Sequence, residues 1–187
     1  GDIDIDIVEY KDIYHKIRST EDLFMSQEDD QVALSTMKAS KFYHSFKAKI
    51  DLWDHNLSHI SEVLESLVAV QRAWMYLESI FMASEDIQKQ LPQETTLFYS
   101  VNDTFKEMLA RAHKDPNAQR FCGYPNTLET VMKMDADLDR IQKSLDQYLE
   151  TKRVVFPRFY FLSNDDLLEI LGQQKDPAQV QKHIKKC

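Results

Sequence analysis

Glycine is nearly missing from this 187-residue chain: it occurs only at Gly1, Gly123 and Gly172, with five prolines beside it. Neither residue occurs between Gly1 and Pro92. A chain so poor in turn formers lacks the tight turns of an all-β fold and leaves room for very long helices. The phosphate-cradling turns GxxxxGK and GxGxxG need clustered glycines, which three isolated ones cannot provide. Cysteine is equally sparse. Cys122 and Cys187 lie far apart without CxxC context, which gives neither a disulfide framework nor a zinc site and makes a reducing cytoplasm the expected compartment. Positive charge is short as well: 23 Lys and Arg face 31 Asp and Glu, a formal net charge of −8. That balance argues against nucleic acid, an anionic membrane or any other acidic polymer as a direct partner. No apolar run approaches the roughly 20 residues that span a bilayer. The acidic start GDIDIDIVEY is unlike a signal peptide.

What the chain does have is helical periodicity. Hydrophobic residues make up 43% and charged residues 29%, a folded composition whose length suits one domain or one elongated helical module. Ile3, Ile5 and Ile7 alternate with Asp2, Asp4 and Asp6, and Ile13 to Ile17 alternates again. Period two over residues 1–18 predicts a short β-hairpin, which cannot stand alone and must lean on helices or on further sequence. Helices are expected over residues 20–113. Ser19-Thr20-Glu21-Asp22 starts one that runs to about Met37-Lys38. Phe46, Ile50, Trp53, Leu57, Ile60, Leu64 and Leu67 then follow a strict 4-3 spacing, and Trp74 falls on the same track after a polar Gln71. This heptad-like stripe, of coiled-coil type, predicts a helix from about His44 to Phe81 that is roughly 55 Å long. Ser84-Glu85-Asp86 opens a short helix, and Pro92 begins another with Leu97, Val101, Phe105, Met108 and Ala112 on one face.

Residues 114–125 hold Pro116, Gly123 and Pro125 and read as a surface loop. Residues 126–187 read as helices again. Asn126 with Glu129 suggests a capping box for the stripe Val131, Met134, Leu138, Ile141, Leu145 and Tyr148. Phe156-Pro157 closes that helix, and 156–162 reads as a short extended segment or buried connector. Ser163 to Asp166 caps a compact helix ending at Gly172, and Asp176-Pro177 starts a last one, cut off at Cys187. The expected fold class is mainly α: an elongated bundle of long antiparallel helices with a short N-terminal β-hairpin.

Candidate chemistry is thin. Asp51, His55 and His59 share one helix face, yet a zincin needs Glu where Asn56 stands; a solvated face opposite the stripe is the weightier reading. Glu-x-x-His, the di-iron signature, does not occur. Nor does a Gly-x-Ser-x-Gly nucleophile elbow. Cys122 beside Gly123 is a loop thiol, more often inert than reactive. Met75, Tyr76, Phe81 and Met134 sit at helical spacing and are expected in the packing. The sequons at Asn56 and Asn102 fall inside predicted helices and read as chance. No catalytic, cofactor-binding or metal-binding residue is expected.

Five runs carry a resemblance: VQRAWMYLESIF (Val70–Phe81), EDIQKQLP (Glu85–Pro92), YLETKR (Tyr148–Arg153), FPRFYFLS (Phe156–Ser163) and DLLEIL (Asp166–Leu171). Their order and spacing from about Tyr10 to Cys187 resemble the linker region of dynein heavy chains, just upstream of the AAA+ ring. Leu34-Ser35-Thr36-Met37-Lys38-Ala39-Ser40 resembles the axonemal branch. The resemblance implies that residues 1–187 are the central part of a mechanical arm that arches over the ring and swings as the ring hydrolyses ATP. It implies the cytoskeleton of a cilium or flagellum as the place of work. Expected partners are the rest of the heavy chain with its ring, and other dynein subunits through the tail, without direct microtubule binding. ATP and Mg belong to the parent motor and no cofactor to this fragment. The alternative is a free-standing helical adaptor binding partner helices; the cut-off final helix and the hairpin without a sheet favour a fragment instead. An enzyme ranks third.

Overall fold

Long helices dominate the computed structural model, which describes residues 3–172. The predicted last helix, with Cys187, lies outside the described residues. The element order is β1 (Asp6–Tyr10), β2 (Tyr14–Ser19), α1 (Glu21–Lys38), α2 (Tyr43–Phe81), α3 (Glu85–Gln90), α4 (Pro92–Lys114), α5 (Ala118–Cys122), α6 (Thr127–Val155) and α7 (Asn164–Gly172), with a 3-10 turn at Pro157–Phe161. The mainly α class with an N-terminal hairpin is therefore observed.

The chain divides into two compact units, Gly1–Arg72 with Asp103–Asp135 and Ala73–Asn102 with Ala136–Cys187. The division falls within α2, α4 and α6.

In the first unit, β1 and β2 pair antiparallel, with Tyr10 opposite Tyr14. Lys11 and Asp12 both take left-handed backbone, φ 46° and 58°, so this turn is made without glycine, at about 1–2 kcal/mol per residue. Such a hairpin needs outside support, and it has two. The Gln71 side chain on α2 accepts from the Ile17 N–H at 2.7 Å and donates to the Ile17 carbonyl at 2.8 Å, acting like one residue of a third strand. On the other side, Ile5 N–H donates to the Pro116 carbonyl at 2.7 Å, and Ala118 N–H donates to the Ile3 carbonyl at 2.9 Å.

Those bonds explain one correction. Residues 114–125 are not a surface loop throughout: α5 spans Ala118–Cys122 and buries Ala118, Phe121 and Cys122. Asn117 caps it, its side chain accepting from the Arg120 N–H at 3.0 Å. Gly123 ends it, because an added Cβ would stand 2.9 Å from the Gln119 carbonyl oxygen. The Asn126 capping box is also not the geometry found, since Asn126 sits at φ 60° and not in the extended backbone of an N-cap.

In the second unit, α2 and α4 run antiparallel. The Phe81 and Phe98 rings stack at 5.5 Å, and Trp74 Nε1 donates to Asn102 Oδ1 at 3.1 Å. Val101, Leu138, Ile141, Leu145 and Leu149 are buried. Phe98 takes the buried position, while Leu97 is half-buried.

Residues 156–162 are a second correction. They are neither a strand nor a buried connector: Pro157–Phe161 winds a 3-10 turn with no buried residue. Pro157 at its start fixes a helical φ, and Phe161 stands 82% exposed. Only Leu162, just beyond, packs inward.

Candidate functional site

A helix of 39 residues, α2, carries most of the residues singled out in the sequence. Its apolar stripe does not have one fate. Val63, Leu64, Leu67, Val70, Trp74 and Leu77 are fully buried. On the same track Phe46 is 56% and Trp53 50% exposed, while Ile50, Leu57 and Ile60 are buried. Trp53 is thus not packed in a seam, because α1 covers only one flank of this half: Leu34, Ile50 and Leu57 cluster, with Tyr43 against them. Beyond that cluster a groove of about 800 Å³ lies open between α1 and α2, with Ile3 and residues 117–119 also lining it.

Polar side chains pin each unit internally. In the first, Lys38 pairs with Asp54 at 2.6 Å and the Tyr43 hydroxyl donates to Asp51 at 2.8 Å. In the second, Arg153 is 7% exposed. It donates to Glu150, to the Leu162 carbonyl at 3.1 Å and to Asn164 at 2.7 Å, and Asn164 donates on to Asp146 at 3.1 Å. Tyr76 donates to Asp165 at 3.3 Å. This network locks the 3-10 turn and α7 to α6.

The metal-ligand triplet is not assembled. Asp51 is engaged by Tyr43. His59 Nε2 lies 3.1 Å from the Cys122 carbonyl oxygen, which can only accept, so that nitrogen carries a proton and is committed. His55 is exposed. Cys122 is buried, and burial pushes its thiol up to about 12, far from the thiolate that reactivity requires. Asn102 is buried against Trp74, which leaves no room for a glycan. Trp74, Phe81 and Met134 are core residues, as their spacing suggests.

Sequence reasoning missed Gln71, Gln27 and Arg153. Gln71 was visible only as a polar break in the stripe, and a polar residue on an apolar track at mid-helix is the one signal that marks it. Among the described residues no group of three or more His, Cys, Asp or Glu is placed to hold a metal. No described helix is long and apolar enough to cross a membrane.

Long helices packed along apolar seams and pinned by polar side chains define a helical packing module. The chain belongs to the dynein heavy chains: the family model "Dynein heavy chain, N-terminal region 2" matches residues 1–187. It is 58% identical over 184 residues to "Dynein axonemal heavy chain 2" of Mus musculus, covering 98% of this chain and 4% of that protein. It is 54% identical over 183 residues to "Dynein-1-beta heavy chain, flagellar inner arm I1 complex" of Chlamydomonas reinhardtii, again 98% of this chain and 4% of the relative. A "Dynein heavy chain, cytoplasmic" of Paramecium tetraurelia is 37% identical over 183 residues. The chain spans about 4% of the length of the curated relatives it matches.

Proposed function

We propose that this chain is the central portion of the linker of an axonemal dynein heavy chain, a lever that transmits force and performs no chemistry itself. In this reading the AAA+ ring elsewhere in the heavy chain hydrolyses Mg-ATP, the linker swings between bent and straight forms, and the tail is pulled relative to the microtubule. The place of work is the axoneme of a cilium or flagellum, as the names of the axonemal and flagellar relatives suggest.

The observation that carries the reading is the closed half of α2, where Val63, Leu64, Leu67, Val70, Trp74 and Leu77 are buried without an intervening glycine or proline. Stiffness in a rod of helices comes from such continuous packing, because close-packed interiors transmit strain.

The test is Leu64→Pro in an intact heavy chain. It removes one helix hydrogen bond, at about 3 kcal/mol or more. It also empties a buried leucine site, for a further roughly 2–5 kcal/mol. Microtubule gliding is expected to fall much more than basal ATPase, with melting followed alongside. A folded variant gliding at parental speed would overturn the lever. Titration of the isolated chain with Mg-ATP is expected to give no saturable heat; micromolar binding would overturn the non-catalytic reading.

A further inference from the structure

We propose that the open groove between α1 and α2 is the seat of an amphipathic helix supplied by another part of the same heavy chain. The proposal rests on membership of a heavy chain and not on the lever reading. One wall carries Leu23, Leu34 and Met37 of α1, the other Phe46, Ile50 and Trp53 of α2. Phe46, Trp53 and Met37 are each at least half exposed, and three large apolar side chains side by side on an acidic, highly charged chain mark a contact surface rather than chance exposure.

A second, independent observation points to an occupant. Gln27 lines the groove and is 3% exposed. Its Oε1 accepts from the Ser61 hydroxyl at 3.3 Å, and its Nε2 is buried with no acceptor. A buried amide N–H₂ without a partner is rare in folded proteins. From its place in the groove lining, this amide satisfies its N–H₂ by turning towards a carbonyl or hydroxyl oxygen of a docked segment.

The walls state the chemistry of that segment. Both are helices, and Leu23 to Met37 measures about 21 Å at about 1.5 Å per residue, the length of a four-turn helix lying in a helical groove. Of the charged side chains that line the groove, α1 contributes Asp30 and α2 contributes Lys49. The occupant therefore presents apolar residues at i, i+3/4 and i+7, a Lys or Arg towards Asp30, an Asp or Glu towards Lys49, and one hydrogen-bond acceptor near Gln27. An anionic membrane is disfavoured by the chain's net charge of −8. A second copy of this chain is disfavoured because its own long stripes, such as Leu64 and Leu67 on α2 or Ile141 and Leu145 on α6, are already fully buried. The rest of the heavy chain remains: in the relatives the matched region is 4% of the polypeptide.

The experiment places the photo-crosslinking residue p-benzoylphenylalanine at position 53 of an intact heavy chain and maps adducts by mass spectrometry, using a mixture of isotopically light and heavy motors. The expected adduct joins position 53 to a helix of the same polypeptide with the stated charge pattern. Phe46→Glu is expected to reduce its yield roughly tenfold or more, the loss that goes with spoiling a buried aromatic anchor. Because Phe46 is 56% exposed, the same substitution should leave the melting of the isolated chain unchanged, which separates lost docking from lost folding. Adducts between light and heavy chains, adducts to tubulin or another polypeptide, adducts to a segment without the pattern, or no adduct would each overturn the proposal. Gliding speed does not enter, so a failed lever and an empty groove are told apart.

Discussion

The two halves of α2 share one spacing and differ in fate. From Val63 to Leu77 the apolar residues Val63, Leu64, Leu67, Val70, Trp74 and Leu77 are all fully buried, whereas from Phe46 to Ile60 the buried Ile50, Leu57 and Ile60 share the stripe with the exposed Phe46 and Trp53. Periodicity states which residues share a face. Whether the face is covered depends on what stands opposite, and that is set by residues distant in sequence. In the closed half Trp74 has Asn102 across from it, 28 positions away; in the open half α1 supplies a single partial wall. In the proposed reading the closed half carries load and the open half receives a partner.

Breaking the closed half should have the largest effect. With the costs given above, Leu64→Pro removes more than about 5 kcal/mol, comparable to the whole stability of a typical domain; circular dichroism of the isolated variant is expected to show lost cooperative melting. Next comes the tryptophan pair. Trp74→Ala should cost about 3–5 kcal/mol, because a fully buried ring and its bond to Asn102 vanish together. Trp53→Ala should cost about 1 kcal/mol or less in the isolated chain, since half its surface is already in water. Urea melts of the two variants measure the gap; equal losses would erase the distinction between the halves.

A smaller effect separates buried from exposed ion pairs. Arg153→Ala strands the Leu162 carbonyl and Asn164 and should cost about 1.5–3 kcal/mol. Arg120→Ala, which removes an exposed pair with Asp115, should cost less than about 1 kcal/mol. Cys122 gives a pH signature. Its thiol titrates near 12 in the folded chain against 9.0 without burial. A raised folded value means its contribution is intact below about pH 9 and is lost as the pH rises towards 12, because only the unfolded chain ionises there. In a Cys187→Ser background, iodoacetamide at pH 8 is expected to leave the native protein unmodified and to label it only on unfolding.

The fold was largely legible. The starts of α3 and α4 follow from Ser84, whose side chain accepts from the Ile87 N–H, and from Pro92, because caps and prolines act locally on the backbone; α1 begins at Glu21 although Thr20 makes no side-chain cap bond. What was not legible depends on distant partners. Residues 118–122 looked like loop because Pro116 and Gly123 flank them, yet pairing with Ile3 and Ile5 holds a helical turn in place. The aromatic run at 157–161 looked extended from composition, while Arg153 reaching the Leu162 carbonyl pulls it into a 3-10 turn. Of the open groove the sequence showed only its apolar members, since Phe46 and Trp53 carry the same periodicity as Leu64 and Leu67. Gln27 gave no signal at all, being one polar residue on a polar helix.

The lever account is tested most directly by the stall force of single intact motors carrying Trp74→Ala, at a temperature where melting shows the variant folded. The account predicts a clear fall in stall force with basal ATPase near the parental rate, because the ring's chemistry lies outside this chain while the seam that resists bending has lost its largest side chain. A folded Trp74→Ala motor that stalls at the parental force would contradict it.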